Sequence, residues 1–196
     1  GTVPAGLSGN PQGNTTLGIR AGLAATTGLA NVIIGTDAGK ALGATKFSTF
    51  VGFEAGFSST TGSFNTAIGA KSLYTQQITG SSGGSTAIGY ATLFYQNGQT
   101  NAQNVALGYA AASAITTGTL NTILGSLAGS QAVSNDKTVI IGSFAQASST
   151  TTDNEIVIGA SATGHGANIA VIGDTNITAW HPADDNGVDL GSATYS

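Results

Sequence analysis

Asn31-Val32-Ile33-Ile34-Gly35 returns seventeen residues later as Ser48-Thr49-Phe50-Val51-Gly52, and seventeen later again as Asn65-Thr66-Ala67-Ile68-Gly69. The phrase Asn/Ser–Thr/Val–x–Ile/Leu–Gly runs nearly end to end. It opens at Asn14-Thr15-Thr16-Leu17-Gly18. It continues through Ser85-Thr86-Ala87-Ile88-Gly89, Asn104-Val105-Ala106-Leu107-Gly108 and Asn121-Thr122-Ile123-Leu124-Gly125. Val139-Ile140-Ile141-Gly142, Ile156-Val157-Ile158-Gly159 and Ala170-Val171-Ile172-Gly173 close the series. The marker glycines are Gly18, Gly35, Gly52, Gly69, Gly89, Gly108, Gly125, Gly142, Gly159 and Gly173. Their successive intervals are 17, 17, 17, 20, 19, 17, 17, 17 and 14. Six of the nine are identical, so the repeat governs the architecture.

Each phrase reads as a strand. β-Branched residues dominate it and suit a pleated surface. The glycine that ends it suits a tight corner and would weaken a helix. Strand side chains alternate between faces. The residues one and three before each glycine therefore share one face, and the residue two before takes the other. Both faces are apolar or β-branched, as in strands covered on two sides. A 17-residue period is too short for a strand–helix unit of about 30 residues. It fits one coil of a parallel β-solenoid, so the sequence predicts an all-β repetitive fold. Nine steps at about 4.8 Å give a body about 43 Å long.

The third residue after each marker is small: Ala21, Ala38, Ala55, Ser72, Thr92, Ala111, Ala128, Ala145 and Ala162. Such a column marks either a thin coil interior or the close approach of a neighbouring chain. So short a coil encloses little volume. Three coils around one axis would bury the second apolar face, so a homotrimer is expected.

Composition agrees. The chain has 196 residues and only 14 charged ones, with five Lys and Arg, nine Asp and Glu, and a net charge of −4. That is 7 % charged, against about 25 % in an average soluble domain. Five cations supply no nucleic-acid-binding face. The absence of cysteine excludes disulfide scaffolds and zinc ribbons. No run approaches the ~20 apolar residues of a transmembrane helix, so no membrane insertion is expected. The missing initiator methionine points to a fragment or a processed product. The expected organisation is a lead-in or cap over residues 1–13, a ten-repeat solenoid over 14–173, and a cap or junction over 174–196 that holds Trp180.

The Asn-x-x-Ile/Leu-Gly-x-x-Ala rhythm resembles the β-roll heads of trimeric autotransporter adhesins. The longer copies, with Thr-Thr-Gly at 60–62 and 116–118, more closely resemble repeats of bacteriophage tail fibres. Asp185-Asn186-Gly187-Val188-Asp189-Leu190-Gly191-Ser192-Ala193-Thr194-Tyr195 is similar to the segment that precedes the self-cleaving intramolecular chaperone of endosialidase-type phage tail proteins. That resemblance implies a trimer assembled by a downstream chaperone, with Ser196 as a self-cleavage end. It also implies a virion-tail or other extracellular location and host attachment. A bacterial adhesin head, on the cell surface, is the alternative. A glycan-cleaving tailspike is a further one.

Candidate site residues are few. The second residues after the first four markers, Arg20, Asp37, Glu54 and Lys71, would stack as a charged column about 14 Å long. This is a carboxylate pair for glycan chemistry, a cation site, or a surface ion-pair ladder. The flanking cations would hold both carboxylates ionised, which leaves no acid, so no catalysis is expected. His165 and His181 have no acids at ligand spacing, and neither a metal nor another cofactor is expected. The connections after Gly69 and Gly89 are three and two residues longer than the rest. In and beside them stand Tyr74, Gln76, Gln77, Tyr90, Phe94, Tyr95 and Asn97, with Tyr109 in the next repeat. Aromatic faces with amide partners would make a receptor-binding band for a cell-surface glycan. Alternatively Leu73, Tyr74, Phe94 and Tyr95 plug the coil interior.

Overall fold

The computed structural model describes residues 13–76, 83–97 and 102–178. The described residues form ten three-residue strands: β1 (Thr15–Leu17), β2 (Val32–Ile34), β3 (Thr49–Val51), β4 (Thr66–Ile68), β5 (Thr86–Ile88), β6 (Val105–Leu107), β7 (Thr122–Leu124), β8 (Val139–Ile141), β9 (Ile156–Ile158) and β10 (Ala170–Ile172). Each strand pairs in parallel with the next one in the chain, so one ten-stranded sheet runs in sequence order. Pairing keeps repeat position: Ile33 lies opposite Phe50, and Ile123 opposite Ile140. The longer connections leave register intact, with Ile68 opposite Ile88 and Ile88 opposite Leu107. The chain is a parallel β-solenoid of coils about 17 residues long.

The two strand faces meet different fates. Central residues Ile33, Phe50, Ala67, Ala87, Ala106, Ile140 and Val157 point into the coil and are fully buried. Their neighbours point outward, where Leu17 is 68 %, Leu107 49 % and Ile172 50 % exposed. Only one of the two apolar faces is therefore covered within the chain.

The corners explain the marker glycines. From Gly18 to Gly159 their φ lies between 126° and 139°. A Cβ on Gly125 would stand 2.6 Å from the carbonyl oxygen of Gly142 in the next coil. Two further corners per coil are left-handed yet seldom glycine. One is the second residue after the marker, as in Asp37 (φ 57°) and Glu54 (φ 56°). The other is five before it, as in Phe47 (φ 54°) and Leu120 (φ 60°). Positive φ is uncommon outside glycine. Here cross-coil backbone bonds fix it: Asp37 N donates to Ile19 O, Glu54 N to Thr36 O, and Phe47 N to Leu29 O.

The column of small residues resolves to the coil interior. Ala21, Ala38, Ala55, Ala111, Ala128, Ala145 and Ala162 are all buried in the chain's own core. That core is thin, and its side chains trade size across it. Phe50 faces Gly56, where a Cβ would meet the Phe50 ring Cε1 at 2.6 Å. Ile123 faces Gly129, whose Cβ would meet Ile123 Cδ1 at 3.0 Å. Where the strand centre shrinks to Ala67 and Ala87, the equivalent glycine becomes Leu73 and Leu93, both fully buried. Those leucines hold φ of 51° and 49°, a conformation that filling the core compensates.

A polar column closes the coil beside the strand. Position Asn14, Asn31, Ser48, Asn65, Ser85, Asn104, Asn121 and Thr138 recurs once per coil. From Asn31 to Thr138, each backbone N–H donates to the side-chain oxygen of the coil before it, at 2.8–3.3 Å. The asparagine amides donate to carbonyls a few residues before the repeat phrase, such as Asn31 Nδ2 to Thr45 O at 2.8 Å and Asn121 Nδ2 to Asn135 O at 2.6 Å.

Replacing Asn121 by Leu orphans the buried Thr138 N–H and Asn135 C=O, at about 1–3 kcal/mol each. Asn121→Ser keeps the acceptor for Thr138, as Ser48 does for Asn65, so urea unfolding should show at most half the loss seen for Asn121→Leu. The size trade gives a second test. Ala67→Ile alone overpacks the coil by about 1–3 kcal/mol, and Leu73→Gly alone opens a cavity worth about 2–5 kcal/mol. The double variant restores the Ile33/Gly39 arrangement. A cycle of unfolding free energies should give a favourable coupling of about 1–3 kcal/mol.

Candidate functional site

Equivalent positions in neighbouring coils lie one strand spacing apart, about 4.8 Å. Aromatic rings placed at one position must therefore stack. Phe57, Tyr74 and Phe94 each stand fifth after a marker glycine. Their rings lie 4.9 and 4.8 Å apart, tilted by only 12° and 6°. Lys40, one coil earlier, sets its Nζ 5.1 Å from the Phe57 centroid. Tyr95 abuts Phe94 edge-on at 4.6 Å. The stack is thus capped at both ends, and its ring faces are spent on one another. Tyr74 and Phe94 neither plug the coil nor offer open platforms; they run along its flank, half-buried. Phe57 belongs with them, and its distance from Gly52 is the signal that locates it in the sequence.

Tyr90 and Tyr109 form a different column, first after the marker. Their rings stack at 5.3 Å with a 13° tilt, and both are exposed. Phe47 and Phe64, just before the polar column, stack at 5.5 Å. Tyr95 and Asn97 are exposed. Gln76 is placed differently from the expected loop tip. It is fully buried, its Oε1 accepts from Asn65 Nδ2 and Ser59 Oγ at 2.8 Å, and its Nε2 donates to Asn65 Oδ1 at 3.1 Å. Its hydrogen bonds belong to the polar column and leave nothing for a ligand. Gln96, at the same repeat position, donates to Ser85 Oγ at 3.0 Å. Gln77, Trp180, His181, residues 185–195 and Ser196 lie outside the described residues.

The charged column forms as two clusters. Arg20 grips Asp37 with two bonds, Nε to Oδ1 at 2.6 Å and Nη2 to Oδ2 at 2.5 Å. Lys40 Nζ stands 3.5 Å from Asp37 Oδ1. Glu54 pairs loosely with Lys71 at 3.8 Å. The Arg20 hydrogen bonds hold the Asp37 carboxyl below the usual range, and Asp37 raises the Arg20 guanidinium in turn. A carboxylate held ionised in this way is a poor proton donor.

One acid stands apart. Glu155 takes the asparagine position in the ninth strand's coil and is fully buried. Its Oε2 accepts from Ser148 N at 3.0 Å and Ser148 Oγ at 3.3 Å, and its Oε1 from Gly166 N at 2.9 Å. It ends the polar column where the interval falls to 14 residues. Gly164 leaves it room, because a Cβ there would strike the carboxylate. His165 is exposed on an open groove with Ser161, Thr163, Ile172 and Asn176. Asp174, in the same groove, is held low by donors from Asn176. Among the described residues no three of His, Asp and Glu gather as a metal site.

Because the folded value of Asp37 is depressed, its stabilisation is present above the ordinary aspartate value of ~3.9. It is lost as pH falls through the lower folded value. Asp37→Asn tolerates the left-handed corner and removes the charge. The wild-type chain should exceed Asp37→Asn in melting temperature at pH 7, and that margin should shrink progressively below about pH 4. No family model matches the chain, and no match was found among curated proteins or solved structures.

Proposed function

We propose that this chain is an adhesive segment of a homotrimeric fibre of the phage-tail type, which presents or binds a cell-surface glycan and performs no catalysis. The observation that carries the reading is the outward strand face. Leu17, Val32, Ile68, Val105, Leu107, Ile156 and Ile172 are exposed on it, and the half-buried Val51, Ile88, Leu124 and Ile141 join them into one apolar stripe along the sheet. Scattered surface apolar residues need no explanation, but a continuous stripe marks an interface. The stripe follows the solenoid axis, so copies that share it lie side by side with axes aligned. Closed cyclic symmetry makes every copy equivalent and leaves no stripe uncovered. Three copies meeting along one axis form a rod about 43 Å long over these repeats.

The low charge supports the same assembly. A stiff rod that hides one face in its own partners has less surface to keep soluble. The exposed tyrosines Tyr90, Tyr95 and Tyr109 are the recognition residues of this reading, and the virion tail is its location. The resemblance at residues 185–195 adds an assembly chaperone downstream.

Light scattering under native conditions tests the trimer. The expected mass is three times 19.1 kDa, about 57 kDa, and a 19.1 kDa particle would refute it. Replacing Leu107 and Leu124 together by Asp puts charge on the stripe without touching the coil interior. That variant should run as a folded monomer.

A further inference from the structure

We infer that the column first after the marker glycines contains a slot for one pyranose ring, walled by Phe53 and Tyr90 and floored by Ala70. This inference rests on the glycan reading above and gives it a location. The column runs Phe53, Ala70, Tyr90, Tyr109 through four successive coils. Backbone bonds hold it in register across the long connection: Lys71 N donates to Phe53 O, and Ala91 N to Ala70 O. Tyr90 and Tyr109 show how rings at this position behave, stacked at 5.3 Å and nearly parallel. The adjacent-coil ring pairs in the other columns also stack, at 4.8 to 5.5 Å.

The column is thus an aromatic ladder with one rung missing. Phe53 and Tyr90 stand two coil rises apart, about 9.6 Å. One ring set midway would lie about 4.8 Å from each, within the stacking range of ~4.5–7 Å. Ala70 supplies no ring of its own. The outer face of Tyr90 is already covered by Tyr109, so its remaining face is turned toward the gap. Both walls are open to solvent, Phe53 at 47 % and Tyr90 at 46 %. This differs from the Phe57–Tyr74–Phe94 ladder, which has no gap and is capped at both ends.

The chemistry beside the gap favours a sugar over a plain aromatic ring. Glu54 and Lys71 follow Phe53 and Ala70 in the chain, and their ion pair is long at 3.8 Å. Both side chains keep partial exposure, 19 % and 37 %. A pyranose offers an apolar C–H face to each wall and a rim of hydroxyls that can accept from Lys71 and donate to Glu54. Pockets that combine apolar walls with a few fixed polar groups are the usual form of ligand sites.

The test uses the intact chain and a panel of methyl pyranosides of the glucose, galactose, N-acetylglucosamine and rhamnose types. Saturation-transfer NMR reads binding, circular dichroism reads folding and light scattering reads mass. At least one sugar is expected to bind the wild type. Ala70→Tyr supplies the missing rung, as Tyr90 and Tyr109 do in their coils. It should weaken that binding at least tenfold with no loss of folded signal. Tyr90→Ala removes a wall and should weaken it comparably, which keeps the test decisive if Ala70→Tyr folds poorly. Wild-type binding that both variants leave unchanged overturns the slot and leaves the glycan reading standing. Binding of no sugar by the wild type overturns both. A change of assembly mass in Ala70→Tyr, with sugar binding kept, would mean that a ring from a neighbouring copy fills the gap, and this too overturns the slot.

Discussion

Parallel in-register pairing constrains everything else in this chain. Once Thr15–Leu17 pairs with Val32–Ile34, each repeat position stacks on its own equivalents about 4.8 Å above and below. A residue's neighbours along the axis are then other copies of its own position. Columns rather than single residues become the unit of stability. The glycine column exists because successive backbones approach too closely for a Cβ, the polar column because each N–H needs the oxygen of the coil before it, and the aromatic columns because ring thickness suits the coil spacing.

The same constraint explains the scarcity of charge. Like charges one coil apart repel along the whole column, so an uninterrupted charged column is unfavourable. Where the carboxylates Asp37 and Glu54 do stand one coil apart, each has its own cation, Arg20 and Lys40 beside Asp37 and Lys71 beside Glu54. Ser, Thr and Asn stack without that penalty and satisfy backbone groups as they do so. Among the described residues the one fully buried carboxylate, Glu155, appears where the polar column ends and backbone N–H groups cap it.

Much of the fold was legible in the sequence, because the signal was a period. The glycine spacing gave the coil length, and alternation about Gly35 or Gly125 gave the two strand faces. The small column at Ala21, Ala38 and Ala55 left two readings open, since close packing looks the same whether its partner is the same coil or another chain. Burial in the chain's own core resolves it. The size trade between Ala67 and Leu73 was equally present in the sequence. It is visible only when residues six apart are compared across coils, because a left-handed corner at Leu73 turns that side chain back toward the strand. Gln76 misled for a related reason. Polar residues in a long connection read as loop tips, yet its position seventh after the marker faces inward, and there an amide completes the bonds of Asn65.

Aromatic residues on such a scaffold divide by whether their column is continuous. A filled column is structural, since each ring presents its faces to its neighbours and gives solvent only an edge. A column broken once is different, because the backbone register fixes both sides of the break and, at Tyr90, the Tyr109 ring beyond it backs the wall. Phe57, Tyr74 and Phe94 belong to the first kind, and Phe53 and Tyr90 to the second. The recognition proposed at Ala70 would therefore follow from omission. Replacing one ring by alanine creates a cleft of fixed width with no change in the backbone, and that width is set by the same strand spacing that holds the rod together.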